Sequence, residues 1–234
     1  MCEPCSPHSI TAALSSLAWR EARAAERAEL EAFIADGYAR EHGAILTHFQ
    51  PRLFGLWRGE ELQAALGIRH AGRETLFLER YLDAPVERRL AEVLDDTVAR
   101  DRVVEVGNLA TLRRGLLRPL IVTLIETLID EDMQWLTFTA TTQVRNAFQR
   151  LGLEAWPLAE ADPARLGRES ADWGRYYANA PMVMGGDMRR AWRHLQACRT
   201  PTSTVLATLT AHERTSPDAL LGRDDGPLLG FGHV

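Results

Sequence analysis

The sequence contains no lysine and few cysteines, and the shortage of cysteine excludes whole classes of site. All 27 basic residues are arginine, a bias typical of a GC-rich genome that carries no functional information. The three cysteines, at positions 2, 5 and 198, are too few for a disulfide framework. Cys2 and Cys5 form a C-x-x-C pair close to His8, but a zinc site needs a second pair of ligands, and none has suitable spacing. We therefore predict no metal site.

The chain also has no net positive charge and no long apolar run. Its formal net charge of −5 disfavours a nucleic-acid partner. No window approaches the roughly 18 uncharged apolar residues of a membrane span. The short apolar stretch 10–19 follows an acidic segment rather than the basic one of a signal peptide. No Ser/His/Asp or Cys/His arrangement suggests a hydrolase. These absences predict a soluble, cytoplasmic protein.

The first half of the chain changes its hydrophobic period after about residue 41. Leu30, Phe33, Ile34 and Tyr38 recur at helical spacing and predict an amphipathic helix over residues 20–41. The following apolar runs are short and are separated by turn-prone residues, which predicts an antiparallel meander. Its strands are expected at 44–49, 53–57, 62–71 and 76–82. A helix to about residue 94 should follow, with Asp83 as its N-cap.

The second half alternates strands with helices. Strands are predicted at 102–109, 135–140 and 153–158, and helices at 119–131 and 141–151, with Gly152 as a left-handed helix stop. We predict an α+β fold with a mixed sheet, antiparallel at first and with crossover connections later. The expected organisation is a flexible segment 1–19, a domain 20–186, and a C-terminal amphipathic helix with a loosely ordered tail over 187–234.

An arginine-rich turn precedes the helix that contains Pro119. Proline is tolerated in a first helical turn, so residues 110–117 should lie before a helix N-terminus. Free N–H groups and the helix dipole favour an anion there, whereas Arg113, Arg114 and Arg118 oppose the dipole. Two interpretations stay open: the arginines surround a bound anion, or they solvate a surface turn.

Several segments resemble known families. The strand–turn–helix order and the segment 146–153, an Asn and a small residue leading to Leu-Gly-Leu, resemble the GNAT acyltransferases. Five collinear blocks resemble the bacterial thermostable hemolysin family more closely, at 76–87, 104–111, 138–154, 160–167 and 173–177. That family is regarded as GNAT-like and near the acyl-homoserine-lactone and N-acyl-amino-acid synthases, and its name records a haemolytic phenotype.

The resemblance implies an N-acyltransferase with a GNAT-like sheet. Its co-substrate would be the phosphopantetheine thioester of acyl-CoA or of an acyl carrier protein, with no permanently bound cofactor. The acceptor would be a small, amino-acid-like amine, attacking the thioester directly. Leu112 and Leu117 stand where GNAT loops carry Gln/Arg and a small residue, and such bulk favours the single phosphate of a carrier protein over the pyrophosphate of coenzyme A.

The same resemblance suggests the site residues. Glu105, a charge among the valines of a central strand, is the expected base, unless an arginine such as Arg80 merely pairs with it. Asn108 is the second expected catalytic residue, beside a strand bulge at Gly107. The donor would contact Leu109, Ala110, Thr111, Arg113, Arg114, Gly115, Arg118, Thr141 and Asn146. The acceptor would contact Glu79, Arg80, Asp83 and Thr139, unless the three charged residues form an ordinary salt-bridged corner.

Two alternatives come from other classes. One is a membrane-active lytic protein, for which the basic helix 187–199 with Met188 and Trp192 on one face would be the membrane contact. The other is a module that binds acyl thioesters without catalysis. Membrane contact is not expected under the transferase interpretation.

Overall fold

A computed structural model describes residues 17–197, except for the side chain of Arg114. Seven strands form one sheet in the order β1-β2-β3-β4-β5-β7-β6. Only the β4–β5 pair is parallel. The strands are β1 Leu17–Glu21, β2 Arg52–Arg58, β3 Glu61–His70, β4 Val103–Thr111, β5 Trp135–Ala140, β6 Trp156–Glu160 and β7 Met182–Asp187.

Helices cover both faces of this sheet. The described residues contain the α-helices α1 Arg27–His42, α2 Val86–Leu94, α3 Leu117–Asp130, α4 Thr142–Arg150 and α5 Met188–Ala197. Short 3₁₀ segments occur at Phe77–Tyr81, Arg114–Leu116, Pro163–Trp173 and Tyr176–Asn179.

The two faces of the sheet have different coverings. We call the side under α3, α4 and α5 the apolar face, because its buried cluster consists of aliphatic residues, Met and Phe, among them Val104, Val106 and Phe138. The side under α1, α2 and residues 163–179 is called the aromatic face. It buries Tyr38, Trp173 and Tyr176. Alternation along the strands assigns successive side chains to opposite faces.

The predicted fold class is confirmed. The sheet is antiparallel over β1 to β4 and acquires a parallel crossover between β4 and β5. Helix α3 begins at Leu117, so Pro119 is its third residue and lies in the first turn as expected. Gly152 adopts a φ of 68°, the left-handed conformation predicted for it.

The N-terminal boundary was predicted wrongly. Residues 17–21 form strand β1 instead of a flexible segment or the start of a helix, and α1 begins only at Arg27. Strand β1 pairs with β2 in antiparallel register, and Trp19 stacks on Phe54 at 5.2 Å between ring centroids. Pairing and stacking thus override the helical propensity of this Arg-, Glu- and Ala-rich segment.

Two predicted strands are absent from the described chain. Residues 44–49 have no regular structure, and residues 77–81 form a 3₁₀ helix. The Leu76 N–H bonds the Glu79 carboxylate at 2.9 Å, while the Phe77 and Leu78 N–H groups bond Glu105. Carboxylates therefore replace the neighbouring strand that these N–H groups would need. Asp83 does not cap α2, whose N-cap is Pro85.

The C-terminal part of the domain was also assigned incompletely. The segment predicted as loop-rich contains β7, which inserts between β5 and β6 and pairs antiparallel with both. Helix α5 buries Met188 and Leu195 in the cluster of the apolar face. Helix α5 therefore packs on the same core as α3 and α4. The predicted tail beyond residue 197, like Cys2, Cys5 and His8, lies outside the described residues.

Candidate functional site

Strands β4 and β5 part in the middle of the sheet. They pair from Val103–Trp135 to Val106–Phe138, although β4 continues to Thr111 and β5 to Ala140. Beyond Val106, β3 is the only described strand that pairs with β4, and the β3–β4 register shifts between Ala65 and Gly67. Asn108 has a φ of 53°, so it forms the bulge that was predicted next to Gly107. The parting leaves a wedge between two central strands.

The bulge changes the face of the sheet to which the side chains of the following residues point. Strict alternation would place Leu109 on the same face as Glu105 and Gly107, but the structure does not. One extra residue at Asn108 turns Leu109 to the apolar face with Val106, and Ala110 to the aromatic face. A bulge shifts the phase of a strand by one residue, which a period of two does not anticipate.

Glu105 is fully buried and holds the 3₁₀ segment against β4. Its Oε2 accepts the Phe77 N–H at 2.9 Å and its Oε1 accepts the Leu78 N–H at 2.8 Å. Arg80, the partner considered from the sequence, instead bonds Glu169 at 2.5 Å. Both oxygens of Glu105 thus have a structural task at the edge of the wedge, which accounts for a carboxylate among valines.

Asn108 is fully buried as well. Its Oδ1 accepts the backbone N–H of Gln50 at 2.7 Å, which joins the loop before β2 to the bulge. The Gln50 side chain in turn accepts the Arg69 Nε–H at 2.9 Å. This chain of bonds fixes the left-handed conformation of Asn108, a conformation that asparagine tolerates better than most residues.

The arginine-rich turn follows β4 directly. Arg113, Gly115 and Arg118 are exposed around the N-terminus of α3, and neither arginine has an ion pair with any residue between 17 and 197. Leu117 points into the core and is 4% exposed, whereas Leu112 is 41% exposed. The side chain of Leu117 therefore leaves the turn open to a ligand.

The predicted threonines and Asn146 have separate positions. Thr137 and Thr139 are buried on the aromatic face, where the Thr137 hydroxyl donates to the Val104 carbonyl at 3.1 Å. Thr141 is buried and is the N-cap residue of α4, but its side chain makes no capping bond. Asn146 is exposed on α4. Thr111 is fully buried at the end of β4.

The three charged residues predicted to bind the acceptor, Glu79, Arg80 and Asp83, are engaged by other parts of the chain. Arg100 forms a bidentate pair with Glu79 at 2.6 and 2.9 Å, and Glu79 also accepts the backbone N–H groups of Leu76 and Val86. Burial opposes ionisation of Glu79, but these bonds, that of Arg100 first, lower its pKa overall. Asp83 pairs with Arg165. These contacts form a structural corner.

The sequence interpretation missed a group of polar and aromatic side chains on the aromatic face. His42 ends α1, is 4% exposed, and contacts the rings of Tyr38 and Tyr176 edge-on at 5.9 and 5.2 Å between centroids. Trp173 packs on Tyr176 at 5.1 Å, and the Tyr176 hydroxyl donates to the Thr139 carbonyl at 3.4 Å. The dense aromatic motif at 173–177 was the available signal, but His42 has no such sequence signal.

The apolar face has a small cavity behind the wedge. Its volume is about 10 Å³, comparable to the space that one water molecule needs. The lining side chains come from β4, β5, α3 and α4, and all are apolar: Val106, Leu109, Ile121, Leu124, Leu136, Phe138 and Phe148. An apolar group that passed between the strands would enter this space.

Neither a membrane-spanning helix nor a metal cluster occurs in the described part of the chain. No helix between residues 17 and 197 is both long and apolar enough to cross a bilayer. The same residues contain no group of three or more His, Cys, Asp or Glu side chains arranged for a metal ion. The apolar side of α5 is packed against the core through Met188 and Leu195, so it does not offer the free apolar surface that the lytic interpretation requires.

Comparison with known proteins decides the family. The sequence model of the family described as "Thermostable hemolysin" matches residues 20–192 of this chain. The chain belongs to the thermostable hemolysin family. No curated protein matches the chain.

Two solved synthases are similar to this chain in fold. FeeM, an N-acyl amino acid synthase from uncultured soil microbes, is 14% identical with a TM-score of 0.54, over 75% of this chain and 92% of FeeM. BjaI, a CoA-dependent acyl-homoserine lactone synthase solved with SAM and isopentyl-CoA, is 14% identical with a TM-score of 0.53, over 83% of this chain and 99% of BjaI. At these identities the likeness establishes a shared fold.

Proposed function

We propose that this member of the family is an N-acyltransferase. It would move an acyl group from a phosphopantetheine thioester, carried by coenzyme A or an acyl carrier protein, to a small amino-acid-like amine. The observation that carries the proposal is the wedge between β4 and β5, with a bulge on one side and an arginine-rich helix N-terminus at its end. FeeM and BjaI, which share the fold, are named for N-acyl amino acid and acyl-homoserine lactone synthesis.

The donor would lie with its phosphate at the turn and its thioester at the bulge. Arg113 and Arg118 are exposed and have no ion pair with described residues, and the first N–H groups of α3 add partial positive charge. Gly115 has nothing within 4 Å of its Cβ position, so the backbone there is accessible. Arg114, Thr111, Thr141 and Asn146 complete the proposed donor contacts by their place around the turn and wedge.

The thioester carbonyl would accept bonds from backbone N–H groups at the bulge, between Asn108 and Ala110. An N–H group that is released from sheet pairing and held rigidly can stabilise a developing oxyanion. The acyl chain would pass between the strands towards the small apolar cavity, which begins at Val106 and Leu109. The amine then attacks from the aromatic face, where Thr139 adjoins the wedge, and no covalent enzyme intermediate is needed.

A ligand titration tests the donor site. Octanoyl-CoA and octanoyl acyl carrier protein should each be tested for thermal stabilisation, together with shorter and longer acyl chains. A ligand at a hundredfold excess over its dissociation constant stabilises the native state by about 2.7 kcal/mol. We expect stabilisation that varies with acyl length and is lost in the Arg113→Gln/Arg118→Gln variant.

The control variant removes the same two positive charges from arginines outside the wedge. Arg88 and Arg168 are exposed outside the wedge, on α2 and in the 163–173 segment. The Arg88→Gln/Arg168→Gln variant should bind the donor like the wild type. If both double variants lost donor binding equally, the turn would bind the donor no more specifically than any other positively charged surface. If no thioester stabilised the protein, the proposed function would be refuted.

A further inference from the structure

Helix α1 brings His42 to the aromatic side of the wedge. The helix crosses β4 so closely that a Cβ on Gly37 would lie 3.0 Å from the Ala110 Cβ. Tyr38 follows one residue later, and His42 lies four residues further along the same helix face. On the other side, Tyr176 connects His42 to β5 through its bond to the Thr139 carbonyl. His42 is therefore linked to β5 through Tyr176, and the helix that ends with it packs against β4 at Gly37.

Residues 172–176 cover this histidine and hold its backbone. The Arg175 N–H donates to the His42 carbonyl at 2.7 Å, and the Ile45 N–H donates to the Asp172 carbonyl at 2.7 Å. A Cβ on Gly174 would lie 2.3 Å from the His42 oxygen, so only glycine allows the segment to approach so closely. These main-chain contacts fix the position of His42 without using its imidazole.

The imidazole has no hydrogen bond to any residue in the described range. Both ring nitrogens are buried and unpaired, and so are the Thr139 hydroxyl and the Trp173 indole nitrogen. The Tyr38 oxygen also lacks a bond of good geometry, although the Leu109 N–H is near enough to oppose the rise in its pKa that burial causes. Buried polar atoms are paired in the great majority of cases. Such a concentration of unpaired atoms on the aromatic face, with Thr139 on β5 among them, indicates that they meet a polar ligand.

We infer that His42 contacts the amine of the acceptor and takes its proton during acyl transfer. The inference rests on the proposed function. The amine nitrogen donates its electron pair to the thioester carbon, forming the C–N bond and a positively charged nitrogen. His42 takes a proton from that nitrogen, the C–S bond breaks with its electron pair on sulfur, and the thiolate receives the proton. The products are an amide and a free thiol.

The electrostatic surroundings keep His42 in the form that this step requires. Burial, and then the charge of Arg175, lowers the pKa of His42 to about 4. The groups that act on it are Tyr38 from its own helix and Arg175 and Tyr176 from the covering segment. His42 is therefore neutral above about pH 5 and has a free ring nitrogen to accept a proton, but its lowered pKa makes it a weaker base than an ordinary histidine. Glu105 would act as a positioning residue, because both of its oxygens hold the 3₁₀ segment.

The first test observes His42 directly. Ring resonances of ¹⁵N-histidine-labelled protein, assigned with His42→Gln, are recorded with octanoyl-CoA and then with glycine, L-leucine, L-phenylalanine or n-butylamine. We expect at least one amine to shift the His42 resonances and to leave those of the exposed His48 unchanged. If no amine shifts His42, or if His48 shifts equally, the inference is overturned.

The second test measures thiol release from octanoyl-CoA with the same amines. We expect His42→Gln to lower kcat by a factor of roughly 10² to 10⁴, the usual contribution of a general base, while the Kd for octanoyl-CoA changes less than about twofold. The matched control His48→Gln should keep wild-type kcat. If His42→Gln fails to fold, His42→Asn replaces it. Retention of full kcat by a folded variant would overturn the inference.

The ratio of wild-type to His42→Gln rates separates a proton acceptor from a structural residue. Protonation of the amine cancels in this ratio. We expect the ratio to be constant from about pH 5.5 to 7.5 and to decrease as pH falls towards 4, whereas the wild-type to Glu105→Gln ratio keeps its value. If instead the wild-type to Glu105→Gln ratio decreased at low pH and the wild-type to His42→Gln ratio stayed constant, Glu105 would be the base and the inference would be overturned. If the wild type releases no thiol but amines still shift His42, the proposed transfer fails while the amine contact is supported.

Discussion

The two faces of the sheet bury comparable amounts of the chain but differ in chemistry. The cluster under α3, α4 and α5 packs aliphatic residues, Met and Phe, and the cavity described there is lined only by apolar side chains. On the opposite face, Glu105 and Thr139 are buried together with aromatic rings and His42. The apolar face therefore stabilises the fold by packing. The aromatic face places polar groups at the wedge, and burying those groups costs some stability.

The strongest test of this contrast is a truncation on the apolar face. Phe138 is 1% exposed and stacks on Phe148 at 4.7 Å between ring centroids. Phe138→Ala should lower the free energy of unfolding by about 4 kcal/mol, because it removes buried apolar area and leaves a cavity. Urea denaturation measures the change. Leu112→Ala, at a half-exposed position, should cost less than about 0.5 kcal/mol. A comparable loss in both variants would contradict the assignment of the core.

Glu105→Gln examines the aromatic face with a smaller expected effect. An amide oxygen can replace only one of the two carboxylate acceptors, so either the Phe77 or the Leu78 N–H loses its partner. We expect a loss of about 2 kcal/mol in the free energy of unfolding. The control is Glu154→Gln, which breaks an exposed pair with Arg190 and should cost less than about 0.5 kcal/mol. Unchanged stability of the Glu105 variant would mean that its carboxylate does not hold the 3₁₀ segment.

The pH dependence of the free energy of unfolding also distinguishes the two faces, because His42 is buried on the aromatic face. His42 has a pKa of about 4 in the folded protein, below its ordinary value of 6.5. The unfolded chain therefore binds this proton more readily, and the stability present above pH 6.5 is lost as pH falls towards 4. Between pH 7 and 4.5 the wild type should lose about 2 kcal/mol more than His42→Gln. Urea denaturation at both pH values gives the difference, and His48→Gln should behave like the wild type.

Much of the fold could be predicted because its signals are local. The periods of β2, β3, β4 and α3, the stop at Gly152 and the bulge beside Gly107 follow from patterns within a few residues. The segment at 77–81 could not be predicted, because its N–H groups are satisfied by Glu105, which lies 27 or 28 positions away in sequence. Strand β1 likewise depends on pairing with β2.

The candidate site, too, could be predicted from the sequence only where its signals are local. The bulge at Asn108 and the exposed arginines of the turn were predicted because they interrupt a strand and oppose a helix dipole. Whether Glu79, Arg80 and Asp83 bind the acceptor or form a salt-bridged corner stayed open in the sequence, because their partners Arg100, Glu169 and Arg165 come from distant segments. His42 was missed for the opposite reason, since only the fold reveals that its ring nitrogens are buried beside the wedge.

The insertion of β7 between β5 and β6 has a consequence for how the chain folds. Strand β5 ends at Ala140, and its second neighbour begins only at Met182, after α4, β6 and the 3₁₀ segments. A nascent chain that has emerged from the ribosome only as far as β6 would have an open edge on β5 and no partner for β6. Unpaired edges of this kind invite intermolecular association. The synthesis of the last described strand is therefore the event that closes the sheet, and pauses before it should be the most hazardous for this protein.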